Sequence, residues 1–226
     1  ISAFDPLRPH LPTPTAKICH SITEIDAEEW DRCADGAGAY NPFARHAFLL
    51  ALEESGSVGR ETGWQPFHIA VEDGSTLLGV VPLYLKNHSQ GEYVFDYAWA
   101  DAWHRAGHNY YPKLQSSIPF TPATCPKLLC ADNSEANQQL LLDACLQVAE
   151  QAKVSSLHMT FLPESQWTSA ADAGLLQRMD QQFHWHNAGY HSFEEFLQQL
   201  ASKKRKNLKR ERREALANGI EIDWLT

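Results

Sequence analysis

The sequence predicts a mixed α/β layer fold, on three observations. Period-2 apolar runs and helical patterns follow one another irregularly along the chain. The pair Asp73-Gly74 stands between two apolar runs, the pattern of an antiparallel hairpin with a tight turn. Ser134 to Lys153 is the clearest helix, with Leu141, Ala144, Cys145, Val148 and Ala152 on one face. Strands and helices interleave without a regular βαβ repeat, so the layers are mixed.

The elements are expected in this order. Pro6, Pro9, Pro12 and Pro14 block helix and sheet ladders, so residues 1–16 form an extended lead-in. Lys17 to Ile22 alternates as a short strand. Asp26 caps a helix to about Ala34, which Gly36-Ala-Gly38 breaks. Asn41-Pro42 starts a second helix, with Asn as cap and Pro at the first helical position, ending near Gly56. Three strands follow: Pro66 to Val71, Leu77 to Leu85, and Tyr93 to Tyr97. An aromatic helix from Ala98 to Ala106 stops at Gly107. Lys113 to Ile118 is a strand between Pro112 and Pro119. After the long helix come a buried strand, Ser156 to Phe161, a helix, Pro163 to Ala173, ended by Gly174, and an alternating strand, Gln177 to His186.

The last part differs in charge. Eight of the eleven residues from Lys203 to Arg213 are basic, in a chain of net charge -9. Ser192 and Glu195 match the capping box, ahead of Phe193, Phe196, Leu197 and Leu200. Ser202 caps a second helix to Ala217, closed by Asn218-Gly219. Ile220, Ile222 and Trp224 alternate as the first strand of a further unit. The expected organisation is therefore a lead-in at 1–16, a first domain at 17–190, a basic linking helix at 191–219, and the opening strand of a second domain at 220–226, the rest of which lies past Thr226.

Composition narrows the function. With 226 residues and 43% hydrophobic content the chain can bury a core. No apolar run approaches the ~20 residues of a membrane helix, so no membrane insertion is expected. Five cysteines without a Cys-x-x-Cys pair are expected reduced and buried, which makes the cytoplasm the default compartment. Walker, Gly-x-Ser-x-Gly and His-Glu-x-x-His motifs are missing, so the catalytic residues stay unknown.

The basic helix has three readings: a solvated or domain-bridging face, a site for an anionic small molecule or peptide acceptor, or a tRNA-type nucleic-acid contact through residues 203–213. Arg205 is the strongest anion-binding candidate. It lies in the first turn, where the helix dipole favours an anion, and its fork can hold a carboxylate or phosphate. His184 and His186 share a strand face beside Gln182. Lining a cleft is favoured over a metal site, since no acidic or Cys ligand is locally spaced to complete one. The aromatic run from Tyr93 to Trp103 reads equally as pocket wall and as core. Asp96 and Asp101 would be its polar groups, and Tyr110, Tyr111 and Lys113 extend it.

As a set, Asn41-Pro-Phe-Ala-Arg-His-Ala-Phe48, Gly91 to Gln115, Gln181-Gln-Phe-His-Trp-His-Asn187 and Lys203-Lys-Arg-Lys-Asn-Leu-Lys-Arg-Glu-Arg-Arg213 resemble the FemAB-like (peptidoglycan biosynthesis/recognition) family of the GNAT acyltransferase superfamily. The resemblance spans roughly residues 17 to 226. It implies GNAT-like domains, each a mixed sheet flanked by helices, with the basic helix linking the first to a second. It also implies transfer of an acyl or aminoacyl group to an amine of a cell-wall precursor or peptide-like acceptor. The family's Lys-x-Arg-x-Asn-Ile pattern corresponds to Lys203-Lys-Arg205-Lys-Asn207-Leu208, so Arg205 inherits the contact to the anionic acceptor. Arg45 is a weaker candidate. A departure is the lack of a Gly-x-Gly/Ala loop for a CoA pyrophosphate. Acyl-CoA or aminoacyl-tRNA would then be bound beyond this chain, leaving it as the acceptor-side half, with no cofactor or metal of its own. The alternative is a non-catalytic recognition module for the same precursor or peptide.

Overall fold

The computed structural model describes residues 14–223, which fall into two compact units, one running to Gln177 and the other starting at Arg178. The predicted lead-in up to residue 13, and Trp224 in the predicted last strand, lie outside the described residues.

Among the described residues, the first unit has eight strands in two four-stranded sheets. The first sheet has the order β1 (Thr15–Cys19), β3 (His68–Asp73), β4 (Thr76–Val81), β7 (Leu129–Cys130). The second has the order β2 (Trp64–Pro66), β5 (Tyr84–Lys86), β6 (Lys113–Ser116), β8 (Leu157–Met159). All pairings are antiparallel except β6 with β8. Strand alternation places helices on both faces of the first sheet. Ile69, Val71 and Val81 pack on the α4 side (Glu135–Gln151) with Leu141, Leu142, Cys145 and Val148. Ala70, Val80 and Leu129 pack on the other side with Trp30, Cys33 and Leu49, from α1 (Ala27–Gly36) and α2 (His46–Glu54). All five cysteines are free and buried. The fold is thus a mixed α/β fold of sheets flanked by helices.

Several expected elements shift for local reasons. The run from Leu77 to Leu85 is two strands in different sheets. Pro66 and Pro82 lack the N–H a continuous ladder requires, and the ladder breaks there while Phe67 N still donates to Leu83 O at 2.8 Å. The Asp73-Gly74 turn is present, with Gly74 at φ +62°. β1 begins at Thr15, inside the predicted lead-in, and stops at Cys19 because Ser21 and Glu24 close a capping box around a 3-10 turn, Ile22–Glu24. Asn41 caps only the short turn Pro42–Ala44, and extended Arg45 separates it from α2.

Tyr93 to Tyr97 is not a strand. Gly91 and Tyr93 both take positive φ, and the chain coils into α3 (Tyr97–Arg105). Gln177 to His186 also forms no strand: it has the alternation but no partner ladder, and Met179 and Phe183 stay exposed. The helix α5 (Glu164–Asp172) ends before Gly174 as expected.

In the second unit, α6 (Phe193–Gln198) is capped by Ser192 Oγ, which accepts from Glu195 N at 3.2 Å. The basic helix α7 (Ser202–Ala215) has Ala201, not Ser202, as its N-cap, with no side-chain cap bond. It ends at Leu216, so Gly219 lies beyond the cap rather than forming it. Residues 220–223 are not a strand.

One close approach gives a test. Gly36 ends α1 against the backbone of Ala131, where an added Cβ would stand 2.1 Å from the carbonyl oxygen. Backbone cannot rotate out of the way, so Gly36→Ala is expected to lower stability by about 1–3 kcal/mol in urea unfolding. An unchanged midpoint would refute this contact.

Candidate functional site

Two lysines face each other across adjacent strands. Lys86 on β5 pairs in register with Lys113 on β6, and both side chains are fully buried. Like charges directly opposite repel, so the pair exists only because carboxylates reach it. Those come from the coil before α3. Glu92 Oε2 accepts from Lys113 Nζ at 2.7 Å and its Oε1 lies 3.8 Å from Lys86 Nζ. Asp96 Oδ2 accepts from Lys113 Nζ at 2.6 Å. Lys86 Nζ also lies 3.5 Å from the centre of the Trp64 ring and donates to Gln90 O at 3.2 Å. This cluster is why residues 91–96 abandon the strand their aromatics favour: a buried ammonium without a counter-charge costs far more than β-propensity returns.

The cluster reaches a less buried group. Tyr110 Oη donates to Asp96 Oδ2 at 2.8 Å and lies 3.4 Å from His158 Nε2. The same nitrogen lies 2.8 Å from Ser156 Oγ. His158 lies on β8, the outer strand of its sheet, and Ser156, just before that strand, stands two residues away on the same side. A hydrogen-bonded path thus runs from partly exposed Ser156 and His158, through Tyr110, to the buried ions. Burial, reinforced by the Asp96 carboxylate, raises the Tyr110 phenol far above its ordinary range, so it stays a donor. Burial is the largest single influence on Asp96 and pushes its pKa up, but the Lys113 bond and charge with the bonds from Ser89 and Tyr110 together hold it below the usual value. Burial raises Glu92 against the pull of the lysines, and drives Lys86 down to about 7.

The Lys86 shift predicts a pH dependence. Between about 7 and 10.5 the unfolded chain holds a proton on Lys86 that the native state lacks, so native stability rises with pH across that window. Lys86→Met removes this component. Between pH 7 and 10 the wild-type unfolding free energy is expected to climb relative to the variant; parallel curves would show that Lys86 titrates normally.

Of the residues singled out in the sequence, Asp96, Tyr110 and Lys113 meet in this cluster. Tyr111 bonds Ser89 Oγ at 2.8 Å nearby. Asp101 is exposed and paired with Arg105 on α3. The aromatic run is not core: Tyr93, Phe95, Tyr97, Trp99 and Trp103 are 46–71% exposed. Arg45 pairs with Asp31 at 3.1 Å and with Asp35, tying α2 to α1. Lys86, Glu92, Ser156 and His158 were missed. The available signal was a charged residue at the end of each of two runs patterned for burial, which demands a counter-charge.

The second unit carries its own features. An open cavity of about 540 Å³ is lined by Trp185, Tyr190, Phe193 and Phe196 together with Asn187 and His191. The Arg212 guanidinium of α7 stacks 4.4 Å over Phe193. Gln182, His184 and His186 are exposed, with His184 Nε2 3.2 Å from Gln182 Oε1 and the two imidazoles stacked at 6.3 Å. Lys203 and Asn207 are exposed on α7. Arg205 lies one turn inside the helix, its N–H already bonded to Ala201 O. Its guanidinium turns back to Leu200 O at 3.1 Å, leaving a buried Nε without a hydrogen-bond partner.

These features define a mixed α/β protein with an ion-paired buried centre in one unit and an aromatic cavity beside a cationic helix in the other. The family model for FemAB-like proteins, described as peptidoglycan biosynthesis/recognition, matches residues 21–226, and the chain belongs to that family. Among solved structures, a ribosomal-protein-alanine N-acetyltransferase from Brucella melitensis biovar Abortus 2308 is similar at 12% identity and a TM-score of 0.42, over 77% of this chain and 97% of that one. Comparison with curated proteins found no match. No helix among the described residues is long and apolar enough to cross a membrane.

Proposed function

We propose that the chain belongs to an N-acyl or aminoacyl transferase acting on an amine of a cell-wall precursor or peptide-like acceptor, with an acyl-CoA or aminoacyl-tRNA as donor. Family membership supports the class. The observation that carries the chemistry is the path Ser156–His158–Tyr110–Asp96. An amine attacking an activated carbonyl must lose a proton; Ser156 Oγ takes it while passing its own proton to His158 Nε2, 2.8 Å away, which is the base. Once protonated, Nε2–H has two oxygen acceptors, Ser156 Oγ and Tyr110 Oη. Tyr110 links the imidazole to the Asp96 carboxylate. Ser156 orients the imidazole.

The second unit supplies acceptor recognition in this reading. Stacking rings suit a sugar or peptide face, and α7 suits its anionic groups. Arg205, with an unpaired buried Nε, remains the leading anion contact. Arg205→Ala is expected to weaken binding of an anionic nucleotide-sugar peptide to the full-length native protein by ~1.5–3 kcal/mol, the scale of a charged hydrogen bond. Unchanged affinity by calorimetry sinks the Arg205 role. Incubation with labelled donor and that acceptor tests the whole reading: label must appear on the acceptor amine.

The cavity beside the cationic helix also favours a second reading, a non-catalytic recognition module for the same precursor. Binding without transfer by the full-length protein, under any of the donors, selects it. A steep fall of tRNA affinity with salt would instead identify residues 203–213 as a nucleic-acid contact.

A further inference from the structure

Lys127 is fully buried, and its ammonium group has an unusual set of partners. Nζ donates to Cys125 O at 2.8 Å and contacts Cys125 Sγ at 3.1 Å and Phe161 O at 3.4 Å. Among the described residues no carboxylate offsets it, and the only ionisable neighbour acting on it is Cys125. This contrasts with Lys86 and Lys113, whose burial is matched by Glu92 and Asp96. Burial pushes the Lys127 pKa down, which favours the free amine, a nucleophile. The thiol and the amine thus form a dry pair that the backbone holds in contact. Cys125 N bonds Phe161 O at 3.0 Å, and Lys127 N bonds the buried Gln166 Oε1 at 2.9 Å.

We propose that Cys125 and Lys127 are a peroxide-dependent crosslinking site, closing to a sulfenamide between Sγ and Nζ. In the first step the Cys125 thiolate attacks a peroxide oxygen. The S–O bond forms, the O–O bond breaks, and the departing hydroxide takes a proton to leave as water. Cys125 is oxidised to the sulfenic acid and the peroxide is reduced. In the second step Lys127 Nζ attacks the sulfenyl sulfur. The S–N bond forms, the S–O bond breaks, and the hydroxide leaves as water with a proton from the amine. The net change in the protein is the loss of two hydrogens. Sulfenic acids are known to condense with nitrogen in this way, and thiols reverse the product. Peroxide reaches the pair when the connection 117–128, which has no helix or strand, opens locally. Closing the bridge withdraws the lysine donors from Cys125 O and Phe161 O, so oxidation loosens this connection from the turn after β8.

The test is a peptide map of the whole folded chain after hydrogen peroxide, without reductant. The expected result is a peptide containing Cys125 and Lys127 that has lost two hydrogens and is no longer cut by trypsin after Lys127. Dithiothreitol should restore both mass and cleavage. In Lys127→Arg the sulfenic acid has no amine to capture it, so dimedone labelling of Cys125 should rise over wild type. If that variant does not fold, the wild-type map alone decides. Retained cleavage after Lys127 at peroxide levels that oxidise other cysteines overturns the proposal. So does dimedone labelling that is equal in wild type and variant, or a Cys125 left unoxidised while the protein stays folded.

Discussion

Replacing Lys113 by methionine is expected to lower the unfolding free energy by about 3–5 kcal/mol, a large part of the stability of a domain this size. The side chains are close in length, so little cavity is created. What is lost is the cation that Glu92 and Asp96 both need, at 2.7 and 2.6 Å. Two buried carboxylates would then share a site with Lys86 alone, whose Nζ stands 3.8 Å from Glu92. Each would have to take up a proton or pull the 91–96 coil outward. Acid should partly rescue the variant, because protonation removes the uncompensated charge. Urea unfolding at neutral and mildly acidic pH measures this. A loss under about 1 kcal/mol, the scale of an exposed ion pair, would mean the cluster is hydrated rather than buried.

His158→Ala is expected to reduce acyl transfer by the full-length protein roughly 10²–10⁴-fold, the usual contribution of a positioned general base. The loss should fall on kcat, with KM for the acceptor little changed, since His158 is assigned a proton and not a binding contact. Tyr110→Phe should give a smaller loss of the same kind, because it cuts the link to Asp96 while the ring remains. A turnover unaltered by His158→Ala removes the imidazole from the mechanism. A loss confined to KM would make it a binding residue.

How far the sequence could be read depended on the range of the interaction behind each feature. The hairpin turn at Asp73-Gly74, the Asp26 cap, the amphipathic helix α4 and the stop at Gly107 are set by neighbours a few residues away, and each stands where local rules place it. The alternating segments at 93–97 and 177–186 were misread because alternation shows only that a strand would be half-buried if a partner ladder existed. Whether one exists is decided elsewhere in the chain. At the candidate site, Asp96, Tyr110 and Lys113 were recognised as polar members of an aromatic region. Their union with Lys86, Glu92 and His158 was not, because it requires β5 beside β6 and β6 beside β8.

By itself, then, the sequence determined the α/β class, the Asp26 and Ser192 caps, the Asp73-Gly74 turn, the buried free cysteines, the cationic last helix and the FemAB-like family. All but the family, which rests on resemblance along most of the chain, follow from residue type and short spacing. Only the tertiary structure decided that the chain divides into two sheets at Pro66 and Pro82, that two lysines meet across β5 and β6, and that a coil gives up its strand to neutralise them. The physical reason is electrostatic. Desolvating an ammonium costs several kcal/mol unless a counter-charge arrives. The carboxylates that answer Lys86 and Lys113 come from a segment whose own local preference pointed elsewhere.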